Sequence, residues 1–246
     1  MIDLHCHLLP GVDDGPASMA EALALCRHAV AAGITHSVVT PHVHPGRYAN
    51  DAPSIAVVAA SLKRALTEAG IPLAISFSGE VRISPEILSM VEAGLIPFHG
   101  EWEGCRVMLL EFPHSHIPPG SDRLVRWLQQ RGITPLIAHP ERNKDVMRDL
   151  GRLHEFVAAG CLFQVTAGSL AGRFGEVAQA RACEIVQAGW ATALASDAHN
   201  LHARPPELAE GLAVAIELVG ERAATALVME NPWLIVAKHF EVANVS

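Results

Sequence analysis

Apolar runs of strand length alternate along the chain with stretches of helical periodicity. The runs are Met1–Leu4, Ser37–Thr40, Leu73–Ser78, Cys105–Glu111, Thr134–Ala138, Leu162–Thr166 and Thr192–Ala195. Helix-like stretches follow them at Ala17–Ala32, Pro53–Ala69, Pro85–Ala93, Asp122–Gln130, Lys144–Ala159, Glu176–Ala188 and Pro206–Val219. Gly33, Gly70, Gly94, Gly132, Gly160 and Gly189 close six of these stretches, and glycine is the usual stop at a helix C-terminus. Strand-then-helix units in series predict parallel strands, in a barrel or in an open sheet.

Polar residues break this pattern at one end only. His5 and His7 end the first run, His42 and His44 the second, Glu80 the third and Glu111 the fourth. His139 and Arg142 follow the fifth, Gln164 and Thr166 end the sixth, and Asp197 and His199 follow the seventh. The C-terminal ends of strands carry the active site in barrels and open sheets alike. An open sheet concentrates its ligands near one switch point, so contributions from all the strand ends favour a barrel. His36 starts a strand and lies at the wrong end. His28, His99, His154 and His239 have no motif around them and read as surface or packing residues.

The chain has 246 residues, 50% hydrophobic, enough for a sizeable core, and no polar linker divides it. We expect one domain over residues 1–246. A net charge of −8 argues against a general nucleic-acid binder. No apolar run reaches membrane-spanning length and the N-terminus lacks a basic-then-apolar signal pattern, so we expect a cytoplasmic protein with no membrane insertion. The five cysteines are scattered without a CxxC pair, which disfavours a disulfide framework or a thiolate zinc site.

The count of 14 histidines changes the picture. Alternation along a strand puts His5 and His7 on one face, and two imidazoles on one face can hold a divalent ion. Zinc, manganese and iron all accept imidazole with carboxylate. The other candidates are Asp13 or Asp14, His42, Glu80, Glu111, His139, Asp197 and His199. One ion takes roughly four to six ligands, so this set suits two or three. Arg142 and Arg204 stand beside these residues, and guanidinium groups grip phosphate oxygens bidentately. Metals with arginine point to phosphate-ester hydrolysis.

The segments HCHLLPGVDDGP, TPHVHPGRY, SGEVRIS, LLEFP, IAHPERN, QVTAGSLAGRFG and SDAHNLHARPP resemble, in order, the motif series of the PHP (polymerase and histidinol phosphatase) superfamily. Within it they are most similar to the capsule-type bacterial protein-tyrosine phosphatases. The resemblance implies an α/β fold, a distorted seven-stranded (β/α) barrel with its metal site at the C-terminal ends of the strands. It implies three divalent ions, manganese first, with iron or zinc as alternatives. The first ion would take His5, His7, Glu80 and Asp197; the second Glu80 as a bridge, Glu111 and His139; the third Asp14, His42 and His199. Arg142 and Arg204 would bind phosphate. The implied substrate is phosphotyrosine on a bacterial tyrosine kinase that controls capsule or exopolysaccharide synthesis. EFPHSHIPPG departs from the group, placing His114 and His116 where aromatic or apolar residues are more usual.

Each of these residues also has a simpler reading. A lone histidine at a strand end is more often structural than a ligand, but here histidines and carboxylates recur together at other strand ends. Glu80 could be a solvated loop charge, Glu111 a capping carboxylate, and Arg204 a surface arginine. Asp13 could orient a ligand or cap a helix, and Asp3 could orient a histidine. His44, His114, His116 and His202 lie near the expected mouth. A cysteine-nucleophile phosphatase needs arginine six residues after the cysteine; those positions hold Val12, Ala32, Glu111, Ala167 and Gly189. The reading is therefore a protein-tyrosine phosphatase working through metal-activated hydroxide. A small-molecule phosphomonoesterase of the histidinol-phosphatase type is the alternative, followed by a nuclease-like enzyme and a non-enzymatic metal scaffold.

Overall fold

A computed structural model describes residues 1–241. The strands are β1 (Ile2–Cys6), β2 (His36–Val39), β3 (His42–Val43), β4 (Ala74–Phe77), β5 (Glu80–Arg82), β6 (Gly100–Trp102), β7 (Cys105–Glu111), β8 (Ile133–Ala138), β9 (Leu162–Thr166) and β10 (Ala193–Ala195). The helices are α1 (Met19–Ala31), α2 (Ala52–Glu68), α3 (Glu86–Glu92), α4 (Ser121–Gln129), α5 (Lys144–Arg148), α6 (His154–Ala158), α7 (Ala167–Leu170), α8 (Glu176–Gln187), α9 (Ala209–Val219), α10 (Glu221–Ala226) and α11 (Glu230–Glu241). The six glycines expected to stop helices all have positive φ, between 62° and 83°.

The fold is mixed α/β with mainly parallel strands. They pair in two sheets, β1-β2-β4 and β10-β9-β8-β7-β5-β3, with β6 antiparallel on β7. The expected seven-stranded barrel is corrected to this extent: no closed ladder runs through all the strands. Two chain positions explain the division. Pro41 separates β2 from β3, and proline cannot donate to a ladder. Gly79 separates β4 from β5, where a Cβ would come within 2.6 Å of Val43 and 2.7 Å of Pro97. A bridge between Cys6 and Ala198 links the two sheets.

Strands β1, β2, β7, β8, β9 and β10 feed two cores. Met108, Leu110, Ile137, Phe163 and Leu194 face the outer helices. Ile2, Leu4, Val107, Leu109, Leu136 and Leu162 build a smaller core, which α11 closes with Ile235 and Val236. The stretch 144–159, expected as one helix, is α5, a 3-10 turn (Leu150–Leu153) and α6. Asp149 is extended there, and its carboxylate accepts from the Gly151 N–H, which starts a new turn.

Candidate metal centre

The expected ligands converge from the ends of the strands. His5 lies in β1, where a register irregularity between Asp3 and Cys6 bulges the strand; bulges re-aim side chains near active sites. His42 and Glu80 open β3 and β5 and face each other in register. Glu111 ends β7. His139 and Asp197, just past β8 and β10, take positive φ of 31° and 51°, a costly backbone for residues with a side chain. His5, His7, Glu80, Glu111, His139, Asp197 and His199 are buried. His42 is partly exposed and the Asp14 side chain is 41% exposed.

Three histidines have their tautomer set by neighbours. His5 Nδ1 donates to Gln164 Oε1 at 2.8 Å, His7 Nδ1 to Asp13 Oδ2 at 2.7 Å, and His199 Nδ1 to the Asp197 carbonyl at 2.9 Å. Each neutral ring then presents Nε2 as a lone pair, the arrangement that orients ligating histidines. The Nε2 atoms of His5 and His7 lie 3.3 Å apart. Both are 3.5 Å from a Glu80 oxygen and 3.3 and 3.4 Å from Asp197 Oδ1. Asp14 Oδ1 sits 3.2 Å from His42 Nε2 and 3.4 Å from His199 Nε2.

These atoms converge more than they bond. His42 Nδ1 and Glu80 Oε2 approach to 2.7 Å, yet neither makes a hydrogen bond, and Glu111 Oε2 and His199 Nε2 are also buried without a partner. An unpaired buried polar atom costs about 1–3 kcal/mol; a cation would satisfy several at once. Three sets bring their donor atoms within 4.8 Å: His7, Asp14, His42 and His199; His5, His7 and Glu80; His42, Glu80 and Glu111. They overlap the expected grouping but differ from it, with His7 joining the Asp14 set and His42 the Glu111 set. His139 and Asp197 lie outside these sets. His139 instead meets Glu80 Oε1 at 2.7 Å.

Charge follows the geometry. Burial alone would raise Glu80, but His5 beside it and contacts from His139 and His42 hold it well below the carboxylate range. Burial, then the Glu80 charge, pushes Glu111 up to about 7. Burial and then Arg142 hold His139 down to about 3. Burial opposes protonation of His42, yet Asp14 and Glu80 raise it to about 9. Burial raises Cys6 well above the thiol range and Cys161 to about 12.

Arg142 and Arg204 both line the cavity above these groups. Arg142 donates to Asp197; Arg204 lies 3.5 Å from Asp197 and 3.8 Å from Asp14. Buried Glu141 accepts from Ser169 and the Thr166 N–H, which fixes the turn that carries Arg142. His44 and His114 line the cavity. His116 bonds Ser115 in an exposed position, and the His202 N–H donates to Asn200 Oδ1. Asp3 grips the Ser196 N–H and hydroxyl and the His5 backbone N–H, so it aligns two chain segments and no imidazole. Sequence reasoning left Gln164 without a role and overlooked Arg47, Tyr48 and Arg82, which also line the cavity. Only their place in quoted motifs hinted at them.

The family model described as capsular polysaccharide synthesis, CpsB/CapC, matches residues 1–237. The tyrosine-protein phosphatase YwqE of Bacillus subtilis is 36% identical over 215 residues, covering 87% of this chain and 83% of its own. The tyrosine-protein phosphatase CpsB of Streptococcus pneumoniae is 28% identical, covering 96% and 98%. A crystal structure from work on YwqE and CpsB, described there as unique metal-dependent tyrosine phosphatases, matches with a TM-score of 0.88 and 34% identity, over 95% of this chain and 94% of that one.

Proposed function

The chain belongs to the CpsB/CapC family of capsular polysaccharide synthesis, and from that premise we propose that it is a metal-dependent protein-tyrosine phosphatase. One observation carries the reading: three imidazole Nε2 lone pairs, fixed by Gln164, Asp13 and the Asp197 carbonyl, turn toward the carboxylates of Glu80, Asp197 and Asp14 beneath Arg142 and Arg204. His5, His7, Asp14, His42, Glu80, Glu111, His139, Asp197 and His199 would hold three divalent ions, manganese first among them. Such ions supply hydroxide at neutral pH and neutralise charge on a phosphoryl group.

The protein's own part is positioning. Arg142 and Arg204 orient the phosphoryl oxygens through planar forks. The phenolate that leaves has a pKa near 10, so little proton donation is asked of His44 or His114. No cysteine lines the cavity, and with Cys6 and Cys161 buried and protonated no thiolate nucleophile is at hand. We read the two sheets, joined at Cys6 and Ala198, as a distorted seven-stranded barrel forming one domain, working in the cytoplasm on a tyrosine kinase of the capsule system. Phosphate release from a phosphotyrosine peptide, histidinol phosphate and single-stranded DNA, measured side by side on manganese-loaded and chelated protein, tests this. We expect hydrolysis of the peptide alone, lost on chelation. Full activity in protein shown by elemental analysis to be metal-free refutes it.

A further inference from the structure

The cavity has two layers. On β5, Glu80 and Arg82 share a face while Val81 packs into the outer core. On β3, His42 and, one residue past the strand, His44 flank Val43, which packs into the same core. Two residues along a strand advance about 6.6 Å, so each candidate ligand has a cationic or basic side chain one step nearer solvent. Arg82 stands opposite Glu111 in register. Its Nε is 3.3 Å from Glu111 Oε2, but Nε and Nη1 are buried and make no hydrogen bond. His44 pairs with Tyr48 to close a short hairpin, and that hairpin carries exposed Arg47, whose guanidinium lies over the Tyr48 ring at 5.0 Å.

This group is separate from the arginines already assigned. Arg142 and Arg204 follow β8 and β10 and contact Asp197. Arg82 belongs to β5 and Arg47 to the hairpin that follows β3, on the other side of β7 in the sheet. All four line one cavity. One phosphoryl group held by Arg142 and Arg204 leaves Arg47 without an anion and Arg82 with only the Glu111 carboxylate, to which its buried Nε makes no hydrogen bond.

We infer that His44, Arg47 and Arg82 form a second anion subsite at the mouth, which takes a carboxylate or phosphate carried by a residue adjacent to the phosphotyrosine. The inference rests on the phosphatase reading and extends it to sequence preference: the enzyme selects acidic or multiply phosphorylated peptide segments. Tyr48, stacked on His42 at 5.4 Å and 11°, positions the hairpin relative to the ligand layer.

The test uses manganese-loaded protein and three peptides that differ at one position beside the phosphotyrosine: Gln, Glu, or a non-hydrolysable phosphonate analogue of phosphotyrosine. para-Nitrophenyl phosphate, which has no neighbour, is the fourth substrate. We expect the Glu and phosphonate peptides to exceed the Gln peptide in kcat/KM by roughly 5-fold or more, through KM, as suits one or two partly exposed charged contacts. Arg47→Gln and Arg82→Gln should each bring that ratio toward one. Preference for the phosphonate over Glu assigns the subsite to phosphate, and the reverse assigns it to carboxylate. A ratio near one in the wild type, or one unchanged in both variants, overturns the subsite. So does an Arg82→Gln variant that slows para-nitrophenyl phosphate as much as the Glu peptide, because Arg82 then grips the reacting phosphoryl group. If Arg82→Gln loses metal, exposed Arg47→Gln decides alone. No hydrolysis of any phosphotyrosine peptide would instead reject the phosphatase reading.

Discussion

Val107 and Leu109 point to the same face of β7 as Glu111, and Leu162 to the same face of β9 as Gln164. At one end of this face the strands meet α11 and bury Ile235 and Val236. At the other they crowd histidines and carboxylates that lack partners. The two ends differ in purpose. The closed end is apolar and gains stability from burial. The open end stores unmet lone pairs and two residues with positive φ, features that cluster at functional sites. The closed end should therefore govern folding, and the open end turnover.

Glu80→Ala should give the largest effect at the open end, because Glu80 belongs to two of the three candidate sets, as His7 and His42 do, and also meets His139 at 2.7 Å. A single preorganised electrostatic contact is worth about 10²–10³ in turnover, so the loss should exceed roughly 10³-fold. Metal content should fall by more than one ion per chain. Normal stoichiometry by elemental analysis would remove the bridging role.

Leu109→Ala should do the reverse. Leu109 is fully buried in the closed core, and a truncated core leucine costs about 2–5 kcal/mol. Denaturant unfolding should show that loss while kcat per metal-loaded molecule stays within about 2-fold of wild type. A collapse of kcat in the folded variant would mean the two ends are coupled.

The contrast also explains how much could be seen in the sequence. Strands end in chemistry, so HCH, GE, LLEFP, AHPER and SDAH announced the open end, and all nine expected ligands gather there. The closed end stayed hidden. Its plug, α11, comes after the last apolar run and follows no strand, so strand-then-helix counting passes over it. Arg82 was missed because an arginine beyond a strand-end glutamate reads as solvated until register places it against Glu111. Asp13 and Asp14 cannot be told apart by spacing. In the fold Asp13 holds His7 Nδ1, and Asp14 faces His42 and His199. Of the barrel expectation, the mixed α/β fold with mainly parallel strands is what the structure shows; it divides the strands into two sheets at Pro41 and Gly79, an effect of packing that hydrophobic pattern does not encode.

Arg204→Lys should sharpen the open end by separating phosphate binding from metal binding. Lysine keeps the charge and loses the planar fork. A hydrogen bond to a charged group is worth about 1.5–3 kcal/mol, so kcat/KM on a phosphotyrosine peptide should fall roughly 10- to 100-fold. Metal content should be unchanged, and inorganic phosphate should inhibit less well. Wild-type kinetics would leave Arg142 as the sole phosphate clamp.

The smallest effect concerns His99, the exception at the closed end. It is fully buried, neither ring nitrogen makes a hydrogen bond of good geometry, and the Leu4 backbone lies near it. Burial, then the neighbouring His239 and His5, hold its pKa down to about 3. The folded state keeps the ring neutral, whereas the unfolded chain binds a proton below pH ~6.5. The stability tied to this ring is thus intact above pH ~6.5 and falls as the pH drops toward 3. Between pH 6.5 and 5.5 the loss is about 1 kcal/mol, within the ceiling of about 1.4 kcal/mol per pH unit. His99→Gln removes the titration, so the stability difference between variant and wild type should shift in the variant's favour by that amount on acidification. Chelated protein is the right sample, because the open end then titrates equally in both chains and cancels. A difference that does not move with pH would mean that His99 takes up a proton in the folded state and donates it to an acceptor there, and that the closed end is less uniformly apolar than its packing indicates.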